Sequence, residues 1–257
     1  MFYQSIRIQI AIITKLINNT KFKIDKGDHL LDTHTHILWN IDDGSKNQCM
    51  SLQMLEIAAR SGTKAIFATP HVIERANKPS WEEIKEKTQQ LRQLCAEAQI
   101  DIMLYPGAEV QMNWELLPEL GAAGAYCLNG GRYLLVELPA AEIPAYADEF
   151  WYELELKGIT PILAHPERYQ QLRENPDLLL LWRRRGMLMQ CNSGSFTGMF
   201  GSSVCENAKV LLANGLVDLL GSDGHRSEGR NTDMSRAAAV IRQLAGEEVL
   251  RQMTETN

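Results

Sequence analysis

Cysteine is sparse and unpatterned in this chain: Cys49, Cys95, Cys127, Cys191 and Cys205 are five among 257 residues, an odd number with no CxxC pair. Neither a disulfide framework nor a zinc knuckle fits that usage, and a reducing cytoplasm is the expected setting. A cysteine nucleophile in a C-x5-R phosphate loop is excluded by position, because the residues six after these cysteines are Leu55, Asp101, Tyr133, Thr197 and Leu211. Positive charge is also short. Against 32 Asp and Glu stand 26 Lys and Arg, a formal net charge of -6, so the basic face that a nucleic-acid backbone requires is missing and nucleic acid is not an expected partner. Long apolar runs are missing too. The stretch Ile8 to Ile13 is flanked by Arg7 and Lys15, which makes it too short and too charged for a membrane span or a secretory signal. Residues 1–28 are read as an N-terminal extension: an ordered cap, upstream sequence from a misplaced start, or a basic amphipathic segment peripheral to the inner membrane.

What remains is an ordinary globular composition, 45% hydrophobic and 23% charged, and one domain is expected over residues 29–257. Short apolar runs recur at His29 to Thr33, Lys64 to Ala68, Asp101 to Tyr105, Tyr133 to Val136, Thr160 to Leu163, Met187 to Gln190 and Leu216 to Leu220. Each has strand length and is flanked by Gly, Pro or Asp. Helical patterns separate them at Cys49 to Arg60, Trp81 to Ala98, Ala145 to Leu156, Asp177 to Arg184, Val204 to Ala213 and Asp233 to Met253. Ser45 is the expected N-cap of the first helix, and Gly62, Gly158, Gly186 and Gly215 are expected left-handed C-caps. Seven strand–helix alternations with nearly continuous apolar strands predict an α/β fold, a distorted (β/α)7 TIM-like barrel, with an open doubly wound sheet as the alternative.

Histidine is scarce as well, and its placement is informative. Of the six, His34, His36, His71, His165 and His225 follow strand runs, and His29 alone does not. Acids stand beside them: Asp43 in Asp42-Asp43-Gly44, Glu109, Glu137 and Asp223. A parallel barrel gathers its C-terminal strand ends on one face, so these residues are expected to converge in one pocket. The spacing of two in His34/His36 and in Asp223/His225 places each pair on one side of an extended backbone. Imidazoles and carboxylates without thiolates suit manganese, iron or zinc in hydrolytic sites. So many donors exceed one tetrahedral ion. Two or three ions are expected, bridged by a carboxylate for which Glu137 is the choice. Arg168 and Arg230 lie close to His165 and His225, and their planar guanidinium groups suit phosphoryl oxygens.

The segments DTHTHILWNIDDGSK, AIFATPH, YPGAEV, LLVELP, TPILAHPERY, QCNSGSFTGMFG and GSDGHRSEGRN occur in that order over roughly residues 30 to 235. Carrying them, the sequence resembles the PHP superfamily and, within it, the bacterial capsule-locus protein tyrosine phosphatases of the CpsB/CapC type. The resemblance implies two or three manganese-like ions held by His34, His36, Asp43, His71, Glu109, Glu137, His165, Asp223 and His225, with Arg168 and Arg230 on the phosphate. It implies hydrolysis of phosphotyrosine on the tail of a membrane-associated bacterial tyrosine kinase that controls capsule or exopolysaccharide export. A bridging water activated by the metals is the expected nucleophile, and Asp43 or a metal-bound water is a candidate proton donor to the leaving oxygen. Arg226 competes on position for the phosphate. A histidinol-phosphatase-like small-molecule enzyme and a non-catalytic metal-binding module are the alternatives, and homo-oligomerisation stays open.

Overall fold

Every ladder between named strands of the computed structural model is parallel. The structure describes residues 29–254, so the expectations for 1–28 fall outside the described residues. Its strands are β1 (Leu30–Thr35), β2 (Thr63–Ala68), β3 (His71–Val72), β4 (Met103–Pro106), β5 (Glu109–Gln111), β6 (Tyr133–Glu137), β7 (Thr160–Ala164), β8 (Leu188–Asn192) and β9 (Leu219–Gly221). They form two runs, β1-β2-β4 and β3-β5-β6-β7-β8-β9.

The expected seven strands explain the nine. Two of them are broken. Pro70 has no N–H to continue the β2 ladder into β3, and Gly107-Ala108 separates β4 from β5. Backbone bonds span both gaps: Gly107 N donates to Ala68 O at 2.9 Å and Glu109 N to Pro70 O at 3.0 Å. At the other seam Asp223 N donates to His34 O at 2.7 Å and His36 N to Gly224 O at 2.9 Å, which brings the chain after β9 onto β1. The result is a distorted (β/α)7 barrel rather than an open sheet.

The barrel interior is packed by Leu31, Ala65, Phe67, Tyr105, Tyr133, Leu135, Ile162, Ala164, Leu188 and Leu219. A second layer, including Ile66, Ala68, Leu134, Val136 and Leu163, faces the helices. This alternation sets the direction of β1's side chains. Leu31 lies opposite Ala65 and faces inward, whereas Thr35 lies opposite Ala68 on the outer side. From Asp32 to Thr35 the chain takes three steps while its partner takes two, from Ile66 to Ala68, so β1 carries a bulge. Without that extra residue, strand periodicity would turn Thr33 and Thr35 inward in place of His34 and His36.

The helices are α1 (Gln48–Arg60), α2 (Trp81–Glu97), α3 (Ala147–Leu156), α4 (Gln170–Glu174), α5 (Pro176–Arg184), α6 (Ser193–Phe196), α7 (Ser202–Ala213), α8 (Ser235–Ala245) and α9 (Glu247–Thr254). Gly62, Gly158, Gly186 and Gly215 have φ of +90°, +73°, +93° and +66°, in keeping with left-handed C-caps. Two expectations are corrected. Asn47, not Ser45, caps α1 by accepting from Met50 N at 2.9 Å. The last helical pattern is two helices, because Gly246 takes φ +89° between α8 and α9. Among the described residues no helix is long and apolar enough to cross a membrane.

Candidate metal centre

The bulged β1 delivers His34 and His36 to the barrel axis with their Nε2 atoms 3.1 Å apart. In each ring the other nitrogen is already engaged. His34 Nδ1 meets Gln190 Oε1 at 2.9 Å, and His36 Nδ1 meets Asp42 Oδ2 at 2.7 Å. His225 follows the same plan, with Nδ1 at 3.0 Å from Asp223 O. An imidazole whose Nδ1–H is donated to oxygen keeps its Nε2 lone pair for a cation, so all three rings are set in one tautomer.

Broken strands supply the next donors. His71 opens β3 and Glu109 opens β5, paired in register. Glu109 is fully buried and touches His34 Nε2 at 3.1 Å, His36 Nε2 at 3.3 Å, His71 Nδ1 at 3.1 Å and His165 Nε2 at 2.8 Å. Glu137 touches His71 Nδ1 at 3.3 Å. Glu109 is thus the more central of the two carboxylates, while Glu137, the expected bridge, reaches the cluster beside His71 and Glu109.

Asp223 and His225 also depart from expectation. Asp223 has φ +52°, so this pair lies on a left-handed turn instead of an extended strand. The turn aims Asp223 Oδ1 at His34 and His36, 3.5 and 3.4 Å away, and His225 Nε2 at Asp43 Oδ1, 3.4 Å away. His165 is left-handed as well, with φ +37°. Such conformations cost about 1–3 kcal/mol each in a non-glycine residue and collect at functional sites.

Donor atoms fall into three groups, each lying within 4.8 Å: His36, Asp43, His71 and His225; His34, His36 and Asp223; and His71, Glu109 and Glu137. Shared His36 and His71 join the groups. Of the nine expected ligands only His165 stands outside them, bonded instead to Glu109. Buried His71 Nδ1, Glu109 Oε2, His165 Nδ1, Asp223 Oδ1 and His225 Nε2 make no hydrogen bond. Buried polar atoms rarely go unsatisfied, and all of these but His165 Nδ1 belong to residues of the three groups, which is the arrangement divalent cations complete.

Electrostatics agrees. Burial opposes charge on His34, His36 and His71, yet Glu109 beside His34 and His71, and Asp42 beside His36, outweigh it and hold these imidazoles above the ordinary histidine range. Burial also opposes ionisation of Glu109 and Asp223, and the charge on His34 wins again, so both carboxyls sit well below their usual range. His225 is pushed down to about 4 by burial and by His36. Asp43, 3.4 Å from His225 Nε2, is held below the usual carboxylate range by His225 and by the charges on His36 and His71. The carboxylates around His34, His36 and His71 thus favour positive charge at the place that cations would take.

One cavity of about 760 Å³ opens onto this cluster, lined by Asp43, His71, Glu109, Glu137, His165 and His225 together with Arg168 and Arg230. Arg168 Nη1 donates to Asp223 Oδ2 at 3.1 Å, and Arg230 pairs with the same oxygen. Arg226 instead spends Nη1 on the carbonyls of Asp43, Gly44 and His225, at 2.6, 2.8 and 2.8 Å, and so acts as a loop brace. Cys191 is fully buried, and burial, then Glu167, push its thiol well above its usual value.

Sequence reasoning places Asp42, Gln190 and Asn192 at strand ends but gives them no role; here Asp42 and Gln190 back the histidines, and Asn192 Nδ2 donates to Asp223 Oδ2 at 2.6 Å. The adjacent acids of Asp42-Asp43-Gly44 were a signal that two roles exist. Asp42→Asn keeps the shape but loses the charge behind His36, and partners of this kind are worth about 10–100-fold in metal affinity. Calorimetric titration with manganese is expected to show roughly tenfold weaker binding, and an unchanged affinity would remove Asp42 from the site.

Residues 30–257 match the family described as capsular polysaccharide synthesis, CpsB/CapC. The tyrosine-protein phosphatase YwqE of Bacillus subtilis is 33% identical over 226 residues, 88% of this chain and 89% of that protein. A solved structure from the pair YwqE of Bacillus subtilis and CpsB of Streptococcus pneumoniae, described as unique metal-dependent tyrosine phosphatases, gives a TM-score of 0.82 at 33% identity. That match covers 86% of this chain and 90% of its own. Histidinol phosphate phosphatase of Lactococcus lactis shares the fold, with a TM-score of 0.57 at 17% identity over 85% of this chain and 94% of its own. A barrel whose strand ends carry these residues, matched over residues 30–257, places the chain in the CpsB/CapC family.

Proposed function

We propose that this protein is a metal-dependent protein tyrosine phosphatase, its catalytic unit spanning residues 29–257. Its substrate would be the phosphotyrosine tail of a membrane-associated bacterial tyrosine kinase in capsule or exopolysaccharide synthesis. The observation that carries the reading is that an imidazole–carboxylate cluster and two arginines open onto the same cavity. Manganese, as two or three ions, is the proposed metal, with iron and zinc as alternatives, held by His34, His36, Asp43, His71, Glu109, Glu137, Asp223 and His225, with His165 joined through Glu109.

Divalent cations held by these residues would supply Lewis-acid charge and a water acidified toward neutral pH. The remaining work falls to side chains. Arg168 and Arg230 orient the phosphoryl group and offset charge on its equatorial oxygens, the main source of catalysis in phosphoryl transfer. Both arginines line the cavity, and both are anchored there on Asp223 Oδ2. Asp43 is held ionised by His225, which suits cation binding better than proton donation. Tyr169 hydrogen-bonds the backbone of Leu138 at 2.9 Å, and burial raises its phenol well above 10, so it remains protonated and structural.

The test is manganese-dependent hydrolysis of a phosphotyrosine peptide by wild type, His165→Ala and Cys191→Ser. The histidine variant is expected to lose about 10²- to 10³-fold, the scale for removing one preorganised group. The cysteine variant is expected to keep wild-type turnover, and histidinol phosphate to be a poor substrate. Equal losses in both variants would replace this chemistry with a thiol route.

A further inference from the structure

Two guanidinium groups side by side repel, so something beyond Asp223 must keep Arg168 and Arg230 together at the cavity mouth. Both stand over the ring of Phe200, with Cζ 4.7 and 5.6 Å from its centroid. We propose that Phe200 is a positioning residue for phosphate, a platform that holds both arginines with their N–H edges turned toward the incoming group. The inference rests on the reading of these arginines as phosphate ligands.

The geometry separates two kinds of restraint. Asp223 holds the arginines through N–H bonds, to Arg168 Nη1 at 3.1 Å and to Arg230, and those donors must be released to bind phosphate. The ring attracts guanidinium through its π face and uses no N–H, so its hold persists when the donors change partner. The platform itself is fixed. A Cβ at Gly194 would lie 3.2 Å from Phe200 Cε2, so the ring rests on bare backbone of α6. That helix is tied down by Ser195 Oγ donating to Glu167 Oε1 at 2.7 Å and by Asn192 N donating to the same oxygen at 2.9 Å. Phe200 lies in a turn between Gly198 and Gly201, with φ +83° and +93°, closed by Gly201 N donating to Gly198 O at 3.0 Å. Phe200 is half-buried and does not line the cavity itself, whereas both arginines do.

The experiment compares full-length wild type, Phe200→Leu, Phe200→Tyr and Arg168→Gln after manganese loading, reading metal content, the inhibition constant of inorganic phosphate, and kcat and KM separately. Phe200→Leu is expected to raise both the phosphate inhibition constant and KM about tenfold, with kcat changed less and metal content unchanged. Phe200→Tyr, which keeps the π face, is expected to stay within about twofold of wild type. In the Arg168→Gln background, adding Phe200→Leu should cost less than it does alone. Wild-type inhibition in Phe200→Leu, or equal weakening in the tyrosine variant, would overturn the platform. Failure of wild type itself to bind phosphate would instead overturn the phosphatase reading beneath it.

Discussion

Glu109→Gln is expected to reduce phosphotyrosine hydrolysis by about 10³-fold, roughly 4 kcal/mol of transition-state stabilisation. The reason is its position. One fully buried carboxylate faces His34, His36, His71 and His165 within 3.3 Å, and its Oε2 makes no hydrogen bond. Glutamine preserves the volume but removes the negative charge that balances either imidazolium protons or cations, and it turns an N–H₂ toward nitrogen atoms that have no use for one. Metal content after dialysis should fall with activity. Glu137→Gln is the matched control: it touches the cluster through His71 alone and is expected to lose about 10- to 100-fold. A larger loss at Glu137 than at Glu109 would mean that the cations sit toward β6, against the ranking given by the contacts.

The contrast between these two glutamates also marks what could be read without coordinates. Strand-end placement identifies both, because an acid after an apolar run in a parallel barrel must lie on the same face as the histidines. Depth within that face is another matter. It depends on Pro70 breaking the second strand and Gly107 the third, so that His71 and Glu109 each open a short strand of their own, and single-sequence periodicity does not register a break of two residues. The bulge in β1 is hidden in the same way. The spacing of His34 and His36 puts both rings on one side, but which side is fixed by one extra residue in the pairing with β2. Arg226 and Arg230 are indistinguishable by position, and what separates them is the carbonyls around Arg226 and the place of Arg230 in the cavity wall. Long helices were legible to within a few residues, since capping and amphipathic spacing are local, whereas α4 and α6 are too short to show a period.

Removing metal is expected to abolish activity and to reverse the pH dependence of stability, which makes chelation the second large effect. In the cation-free protein His34, His36 and His71 lie above the ordinary histidine value of 6.5 because carboxylates surround them. A raised folded pKa contributes stability that is complete below the unfolded value and is lost as pH rises through the folded one. Chelated protein should therefore melt at lower temperature as pH climbs from about 6.5. Glu109 and Asp223 act in the opposite sense, and their share disappears only in acid, below the unfolded carboxyl value near 4. Metal-loaded protein should show the reverse slope near neutrality. Cations must displace the imidazole protons, so binding releases protons and strengthens with pH. At a free metal concentration about 1,000 times Kd the added stability is about 4 kcal/mol. Thermal melts at pH 6, 7 and 8 with manganese or chelator, paired with calorimetry in buffers of different ionisation enthalpy, read both slopes. Parallel pH profiles with no proton release on binding would mean that the histidines do not meet the metal.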